Sequence, residues 1–569
     1  MAMAALGLLL DQKEAVRRWT EKENVFSFYL IEMLNQKGIP YEIVSSADEN
    51  LEKYDLILCG VLEDTERSAG MLLSYINGGG RLINFSDSGR LAAHFNCSVE
   101  KEGTGYASMP EVFRQQVPLR FLRASIWQDG IVKGEAEAGS LMLRSPDSQF
   151  HANAVRSFSS GSGRLIHWNV DIPYTIVALQ QGTKPVTEDG IPAPDGSAAI
   201  DDDLLKADDS FELDWEIDRI PTETGMLYFA HPYADYWKEV FLKQLLNEAI
   251  KTGKSLPFVA QWPDGINQVA TISHDSDGNL DAAATKTADV LRELSVQTTW
   301  CMIEPGYSGK VYEEIIKDGH ELAFHYNALE KEQGIWGEHE FIRQLESLKK
   351  SSGLNDVTTN KNHYTLFEGW GELFKWCEKT GIELDQSRGP SKKGNIGFLF
   401  GTCLPYFPID WHTGHNQLFG VLELGFLTQD LNHHALADTS VIRPFLKAVK
   451  TVGGAAHFLF HQNHICEQPL VEKALREVIW ESRAEGFTFW TSKEINRWER
   501  KRRKLKIIGV SKSGKPIAEN TSEADGAVIY TLIPNGQRIP HQQAVEVYGL
   551  LCNKTIISHP KARVHLGRS

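Results

Sequence analysis

Apolar and polar positions alternate along the first hundred residues in a pattern that predicts a layered α/β structure. Short apolar runs bounded by turn residues predict strands, and stretches with apolar residues three and four apart predict helices. The predicted strands are 6–10, 41–44, 54–59 and 81–85, and the predicted helices are 25–36 and 66–76. Because strands and helices alternate with short glycine-rich stops, the pattern predicts a doubly wound, flavodoxin-like sheet.

A second, longer alternation runs from about residue 266 to residue 498. Strand-like runs begin near residues 268, 296, 321, 356, 382, 419, 455 and 487. The clearest helical patterns between them are 282–294, 311–317, 338–350, 370–379 and 441–452. Repeated strand–helix units over this length are typical of a (β/α) barrel, here an irregular one, and the unit that begins near residue 487 is predicted to close it.

The flanking regions differ in composition. Residues 184–225 contain 13 Asp or Glu in 42 residues together with four prolines, which predicts a solvated insertion or linker. A helix over 233–251 is predicted to bridge to the barrel, and the tail after residue 506 has the short apolar runs of a small β domain. The predicted domains are therefore 1–183, 184–262, 263–500 and 501–569. The basic run at 500–506 is interpreted as a solvated linker and not as a nucleic-acid patch.

Composition narrows the classes of partner and compartment. The net charge of −16 on 569 residues argues against nucleic acid and against anionic membrane surfaces. The seven cysteines are scattered without a C-x-x-C pair, which favours reduced thiols. No basic residue precedes the first apolar run, and no apolar run reaches about 18 residues. We therefore expect neither a signal peptide nor a transmembrane helix, and a cytoplasmic protein.

Candidate chemistry lies at the carboxyl ends of predicted barrel strands, where such folds carry their active sites. The stretch QVATISHDSDG ends with Asp275 and Asp277, GHELAFHY places His325 at a strand end, and AAHFLFH ends on His461. Aspartate and histidine at neighbouring strand ends predict a divalent-metal site with an acid–base pair. Asp277 and His325 are the best candidates for two ligands, and His363 in NKNHYTLF is favoured for the third. By position, Asp275 fits the base and His461 the acid.

These segments resemble the polysaccharide deacetylase family over about residues 266–499. The resemblance lies in HDSDG, in GHE-x-x-x-H, in the His-Tyr segment and in the late strand that ends in His461. It implies a (β/α) barrel that holds a divalent metal, expected to be Zn²⁺, through an Asp and two His. It also implies a hydrolase that removes acetyl groups from N-acetylated sugars or polysaccharide by attack of metal-bound water.

Two positions depart from the usual family pattern. Ser276 separates two aspartates that are usually adjacent, and Leu329 stands where a second metal histidine is usual. A branch of the family has the HDxD form, one histidine in the second motif and a later His-Tyr segment, and this chain resembles that branch. The segment 385–410 also resembles the branch. Three candidates for binding the saccharide are Trp411, in a loop flanked by Pro and Gly, and Tyr364 and Arg388 in the resembling segments.

The first domain resembles class I glutamine-amidotransferase-like domains found beside carbohydrate enzymes. Those domains need a cysteine nucleophile on a Gly-x-Cys-x-Gly turn, whereas Cys59 lies in LILCGVL without the leading glycine. We interpret the domain as catalytically silent, with a role in packing, homo-oligomer formation or shaping a cleft.

Two alternatives to a deacetylase remain open at this stage. The missing histidine at 329 allows a catalytically inactive carbohydrate-binding protein. A glycosidase on a related barrel would need two carboxylates at a fixed separation, and no clear second carboxylate stands at a barrel strand end. Of the other histidines, His320 is predicted to be a structural hydrogen-bonding residue, and His464 either a rim residue or one that shares the role of His461. The remaining rim or loop predictions are His412, His415, His433 and His434.

Overall fold

The computed structural model describes residues 2–47, 49–129, 136–200, 204–433, 436–534 and 544–558. The described residues of the first region form thirteen strands: β1 (Leu6–Leu10), β2 (Glu42–Val44), β3 (Leu56–Val61), β4 (Arg81–Asn84), β5 (Ser98–Glu102), β6 (Gly105–Ser108), β7 (Leu119–Phe121), β8 (Ala124–Gln128), β9 (Ala136–Ala138), β10 (Ser140–Leu143), β11 (Phe150–Ala152), β12 (Val155–Ser160) and β13 (Gly163–Trp168). Its α-helices are α1 (Gln12–Thr20), α2 (Leu30–Asn35), α3 (Glu66–Asn77), α4 (Gly89–His94) and α5 (Ile172–Gln181).

A seven-stranded sheet forms the centre of this region, in the order β2-β1-β3-β4-β13-β12-β9. The first five strands are parallel, and β12 and β9 extend the sheet in antiparallel fashion. With β13 counted as the fifth strand, this is the 2-1-3-4-5 order of doubly wound sheets of the flavodoxin type. Every residue of β1 and β3 is buried, as expected for strands covered on both faces.

Residues 184–200 and 204–262 pack against the barrel, which corrects the expectation of a solvated insertion or linker at 184–225. They form β14 (Arg219–Pro221), β15 (Leu227–Phe229), α6 (Tyr233–Lys251) and β16 (Pro257–Val259). Asp208 is buried and accepts hydrogen bonds from the backbone and hydroxyl of Ser391 and from Asn395. The acidic segment therefore includes a carboxylate, Asp208, that accepts hydrogen bonds in the interior through one of its two oxygens.

The barrel region alternates strands and helices largely as predicted. Its strands are β17 (Gln268–Asp275), β18 (Thr299–Met302), β19 (Glu321–Tyr326), β20 (Thr359–Asn362), β21 (Leu384–Asp385), β22 (Leu422–Glu423), β23 (Thr428–Gln429), β24 (Ala455–His461) and β25 (Phe487–Phe489). Its α-helices are α7 (Asp281–Leu294), α8 (Gly309–Lys317), α9 (Glu338–Ser352), α10 (Glu372–Thr380), α11 (Ile442–Val452), α12 (Gln462–Glu467), α13 (Pro469–Ala484) and α14 (Ser492–Arg503).

These nine strands form a curled parallel sheet that is a half-barrel. The order is β22-β21-β20-β19-β18-β17-β24-β23, and β25 pairs with the first residues of β17. The prediction that the unit at β25 closes the barrel is wrong, because β25 joins the middle of the sheet and not its two edges. β17 is central: it pairs with β24 along its length, with β25 near its start and with β18 near its end.

The chain ends in β26 (Lys506–Val510), β27 (Pro516–Glu519), β28 (Val528–Leu532), β29 (Ala544–Val547) and β30 (Leu550–Ile556). The sheet β16-β28-β30-β29 is antiparallel and takes one strand from the segment before the barrel. The described part of the tail is rich in β-strands, as predicted, and its sheet also includes residues 257–259 from before the barrel. Within the described residues, no helix combines the length and apolar character needed to cross a membrane.

The basic run at 500–506 is not a solvated linker. Arg502 is 1% exposed, and its guanidinium donates to Glu499 and to the backbone oxygen of Gln36. Arg503 forms a two-pronged ion pair with Glu32 of α2, with N–O distances of 2.6 and 2.8 Å. These two arginines connect the first region to the barrel, whereas Lys501 and Lys504 of the same run are exposed.

Candidate metal centre

The predicted metal and acid–base residues meet at the carboxyl ends of four barrel strands, β20, β19, β17 and β24, with β18 between β19 and β17. Asp275 ends β17 and stands directly beside His461, which ends β24. His325 lies on β19, and His363 follows β20, the next strand in the sheet. Asp277 lies two residues beyond Asp275 in the turn that Gly278 closes with a φ of 78°. Parallel strands bring their ends to one edge, which is why residues far apart in sequence converge here.

Asp277, His325 and His363 present one ligand atom each to a common point. His325 Nε2 lies 3.4 Å and His363 Nδ1 lies 3.5 Å from Asp277 Oδ1, and the two nitrogens are 3.2 Å apart. Ligands about 2.0–2.1 Å from a tetrahedral Zn²⁺ would be about 3.3–3.4 Å from one another. The three atoms therefore have the mutual spacing of ligands on one ion.

Two further observations fit a metal at this point. Asp277 Oδ1 is buried and accepts no hydrogen bond from the described residues. An orphaned buried oxygen needs an explanation, and a cation is one. His325 Nδ1 lies 2.9 Å from the backbone oxygen of Lys361, to which its N–H can donate. That bond leaves the lone pair of Nε2 directed at Asp277, as in metal-binding histidines that donate their other nitrogen.

Asp275 is buried and paired with a buried lysine. Lys361, which is fully buried, donates from Nζ to Asp275 Oδ1 at 3.0 Å and to Ser273 Oγ at 2.7 Å. Burial alone would raise the pKa of Asp275, but Lys361, His325 and His461 outweigh it and lower the pKa. The Asp275 carboxylate is therefore ionised at neutral pH, with Oδ2 3.9 Å from His461 Nε2.

His461 is held by Asp430, a residue that sequence analysis did not select. Asp430 Oδ2 lies 2.5 Å from His461 Nδ1 and 2.9 Å from His464 Nδ1, and Asp430 Oδ1 accepts from the backbone of His461. Burial would lower the pKa of His461, but Asp430, Asp277 and Asp275 raise it to about 10. The imidazole is thus cationic at neutral pH and can donate a proton from Nε2.

The group Asp430, His461 and His464 could also be considered as a metal site. Its separations of 2.5 and 2.9 Å are those of hydrogen bonds, whereas those around Asp277 are longer and match two ligands of one ion. The two groups therefore differ in geometry: Asp430, His461 and His464 are hydrogen-bonded, and Asp277, His325 and His363 have the spacing of metal ligands. His464 lies beside His461, and its Nδ1 is a second contact to Asp430 Oδ2.

A cavity of about 630 Å³ opens over these residues. Among the side chains that line it are Asp275, Asp277, Asp430, His461 and Tyr364. Lys206, from the segment predicted to be a linker, also lines it. Tyr364 is 50% exposed and directly follows His363, with a left-handed φ of 56°. A non-glycine residue in that conformation stores strain, which is common at binding sites. The predicted role of Tyr364 in substrate binding fits this position.

The other two predicted saccharide contacts lie elsewhere. Trp411 packs against Trp370, with ring centroids 4.5 Å apart, and against Phe26 of the first region. Arg388 is 1% exposed, and its guanidinium lies over the rings of Phe367 and Phe400. Neither is among the residues that line the cavity. Trp411 is better explained as an interface residue and Arg388 as a core residue, because both bury their side chains against aromatic neighbours.

The remaining histidines are structural or peripheral. His320 Nδ1 accepts a hydrogen bond from the backbone of Thr298 at 3.0 Å, so its structural role is confirmed. His433 lines the cavity and stacks on His464 at 3.8 Å. His415 stacks on Trp19 at 4.8 Å, and His412 lies next to it in a 3₁₀ turn. His434 lies outside the described residues.

Two carboxylates at strand ends were not singled out from the sequence. Asp385 ends β21 and Glu423 ends β22, in paired register. Both are fully buried, and burial raises the pKa of each. They are not among the residues that line the cavity, so they do not form the accessible pair that a glycosidase needs.

In the first region, Cys59 is fully buried and its Sγ lies 3.7 Å from Ser86 Oγ. Burial raises the pKa of the Cys59 thiol to about 12. A reactive cysteine requires a lowered pKa and access to solvent. The expectation of a catalytically silent first domain is consistent with this environment.

Comparisons with known proteins find fold-level likeness only. No protein-family model and no curated protein matches the chain. A solved structure described as a polysaccharide deacetylase from Mycobacterium smegmatis is 17% identical, with a TM-score of 0.31, and the match covers 43% of this chain and 94% of the other. An allantoinase structure is 11% identical, also with a TM-score of 0.31, and the match again covers 43% of this chain and 94% of the other.

A third structure, described as a polysaccharide deacetylase involved in O-antigen biosynthesis, comes from Bordetella bronchiseptica. It is 16% identical with a TM-score of 0.25, and the match covers 42% of this chain and 86% of the other. At these scores the likenesses decide nothing about function, for which the side chains of the site are the evidence.

Proposed function

We propose that this chain is a metal-dependent hydrolase that removes acetyl groups from N-acetylated sugars or polysaccharide. The observation that carries the proposal is the spacing of 3.2–3.5 Å among the ligand atoms of Asp277, His325 and His363. An ionised Asp275 and a cationic His461 flank this triad. Two nitrogens and one carboxylate oxygen suit Zn²⁺, which would supply Lewis acidity to the amide carbonyl and to the attacking water.

Asp275 is the base in this proposal. Its carboxylate is ionised, and Lys361 fixes one oxygen while the other faces His461 across the site. A carboxylate in this position can take a proton from the water that attacks the acetyl carbon. Asp277, which has the spacing of a metal ligand, is unsuited to that task because its charge would be engaged by the cation.

His461 is the acid. Its Nδ1–H is held by Asp430, so the second N–H, at Nε2, points into the site. Donation of that proton to the departing nitrogen lets the carbon–nitrogen bond break and releases an amine and acetate. Asp430 stabilises the imidazolium and fixes the ring orientation, as the third member of hydrolase triads does.

The saccharide part of the proposal is supported by the deacetylase-like motifs and by the size of the cavity. A volume of about 630 Å³ lies within the range of small-molecule sites, roughly 300–1,000 Å³. The half-exposed ring of Tyr364 beside His363 provides a face against which a sugar can stack.

Metal content and acetate release test the proposal together. The wild-type chain should bind about one Zn²⁺ per molecule and release acetate from an N-acetylglucosamine oligomer. Asp275→Asn should retain the ion and lose acetate release by about 10²–10⁴-fold, the usual contribution of a general base. His363→Ala should weaken Zn²⁺ binding by about a hundredfold or more.

His464→Ala is the matched control, because His464 belongs to the hydrogen-bonded group and not to the metal triad. It should leave the Zn²⁺ stoichiometry unchanged. Loss of the ion in His464→Ala but not in His363→Ala would contradict the proposed ligands. It would indicate that the metal binds to the group of Asp430, His461 and His464. A wild-type chain that binds Zn²⁺ but releases no acetate from any N-acetylated sugar would be a carbohydrate-binding protein or a hydrolase of another amide.

A further inference from the structure

We infer that Glu332 is a positioning residue for His363, the third member of the metal triad. The inference deepens the proposed function and rests on it for the presence of a metal. Glu332 Oε2 lies 3.4 Å from His363 Nε2, on the side of the ring that faces away from Asp277. Glu332 belongs to the short turn 330–332 that follows Leu329.

The tautomer of His363 that can bind a metal through Nδ1 needs a hydrogen-bond acceptor at Nε2. If the lone pair of Nδ1 is directed at the metal position, then the proton of the neutral ring is on Nε2. That Nε2 is buried and makes no hydrogen bond within the described part of the chain. A buried N–H without an acceptor is costly, and a carboxylate acceptor also raises the basicity of the coordinating nitrogen.

A series of hydrogen bonds holds the Glu332 carboxylate near His363 Nε2. Asn327 Nδ2 donates to Glu332 Oε2 at 3.1 Å. Asn327 is in turn fixed by Gln344, which accepts from its backbone N–H at 2.9 Å and donates to its carbonyl at 2.7 Å. Because Glu332 is 46% exposed, its side chain can move the few tenths of an ångström that separate 3.4 Å from a hydrogen bond.

This arrangement accounts for the departure at position 329. Leu329 is buried, and its aliphatic side chain has no ligand atom. Its backbone N–H donates to Asn327 Oδ1. The loop that begins at Leu329 places the Glu332 carboxylate beside Nε2 of His363, which follows the neighbouring strand β20. In this chain the loop thus contributes to the centre indirectly, through His363.

The test is the affinity for Zn²⁺ of the full-length chain, measured by competition with a chelating dye in the absence of any sugar. Glu332→Leu should weaken Zn²⁺ binding by about 10–100-fold, the usual effect of removing such a partner. Glu332→Gln, whose amide oxygen still accepts a hydrogen bond, should recover most of the affinity. Glu330→Leu, an exposed residue of the same turn, should bind Zn²⁺ like the wild type.

The outcomes separate this inference from the proposed function. Equal Zn²⁺ affinity of Glu332→Leu and the wild type would overturn the positioning role, whatever the activity. Equal losses in Glu332→Leu and Glu330→Leu would also overturn it, because they would indicate a general effect of the loop. Weakened Zn²⁺ binding confined to Glu332→Leu supports the role even if no acetate is released, in which case only the deacetylase assignment fails.

Discussion

A single carboxylate, Asp430, controls the charge of His461, the proposed acid. It is 1% exposed and contacts both His461 and His464 through the same oxygen. Its own pKa is lowered because the two imidazoles outweigh the opposing effect of burial. Asp430 therefore remains ionised at neutral pH, and it keeps His461 protonated well above the ordinary pH range of histidine.

Replacing Asp430 with Asn should lower the pKa of His461 toward its ordinary value. Since the acid acts in its protonated form, the basic limb of the pH–rate profile should move to lower pH. We also expect acetate release near neutral pH to fall by about 10²-fold or more, because the amide stabilises the imidazolium poorly. The measurement is the pH dependence of acetate release. Asp289→Asn, on the exposed face of α7, is the control and should leave the profile unchanged.

At the scale of elements, β20 organises both sides of the centre. The backbone oxygen of Lys361 accepts from His325, and its ammonium donates to Asp275. His363 is the second residue after Lys361, directly beyond the end of β20. Behind Lys361, Ser273 Oγ lies 2.8 Å from His457 Nε2, so the lysine belongs to a buried polar chain.

Lys361→Met should raise the pKa of Asp275, because the main group that lowers it is lost while burial remains. The base acts in its ionised form, so the acidic limb of the pH–rate profile should move to higher pH. Lys361→Arg keeps the positive charge and should shift the limb less. The profile of acetate release with saturating Zn²⁺ checks both variants. An unshifted acidic limb in Lys361→Met would show that Lys361 does not control the base.

Long, regular elements of this fold could be predicted from the sequence, and so could the residues attached to them. β17, β19 and β24 have six to eight residues with strong apolar patterns, which is why Asp275, His325 and His461 were found. Asp430 was missed because β23 before it has only two residues, too short for a period to appear. Nothing in the sequence shows that this loop meets the end of β24.

The predictions for two charged segments were wrong for a different physical reason. The acidic run that contains Asp208 and the basic run that contains Arg503 have the composition of solvated chain, yet both residues bind partners that are distant in sequence. Pairing of this kind depends on tertiary contacts and leaves no local signal. Trp411 and Arg388 were misplaced in the opposite direction, since residue types suited to binding sugars also fill cores.

For the whole molecule, the Glu32–Arg503 ion pair joins the first region to the barrel. Glu32 is fully buried, and the Arg503 side chain is 10% exposed. Arg503→Met should therefore leave a buried carboxylate without its cation and destabilise the chain by about 3–5 kcal/mol. Urea unfolding followed by fluorescence gives the change in midpoint.

The matched control is Arg343→Met, which breaks a two-pronged pair with Glu304 at the surface. Those side chains are 47% and 34% exposed, so the loss should stay below about 1 kcal/mol. If the two variants have equal midpoints, then the buried pair does not stabilise the contact between the two regions.

The pairing of β16 with β28 has a consequence for synthesis of the chain on the ribosome. Val259 and its partner Ile529 are separated by about 270 residues. At about 5–20 residues per second, translation needs roughly 15–50 s to produce the partner strand. During that interval the whole half-barrel can emerge while β16 has no strand beside it. The final sheet can therefore form only after translation has passed the barrel, and a nascent chain stalled before residue 528 would present an unpaired edge to chaperones.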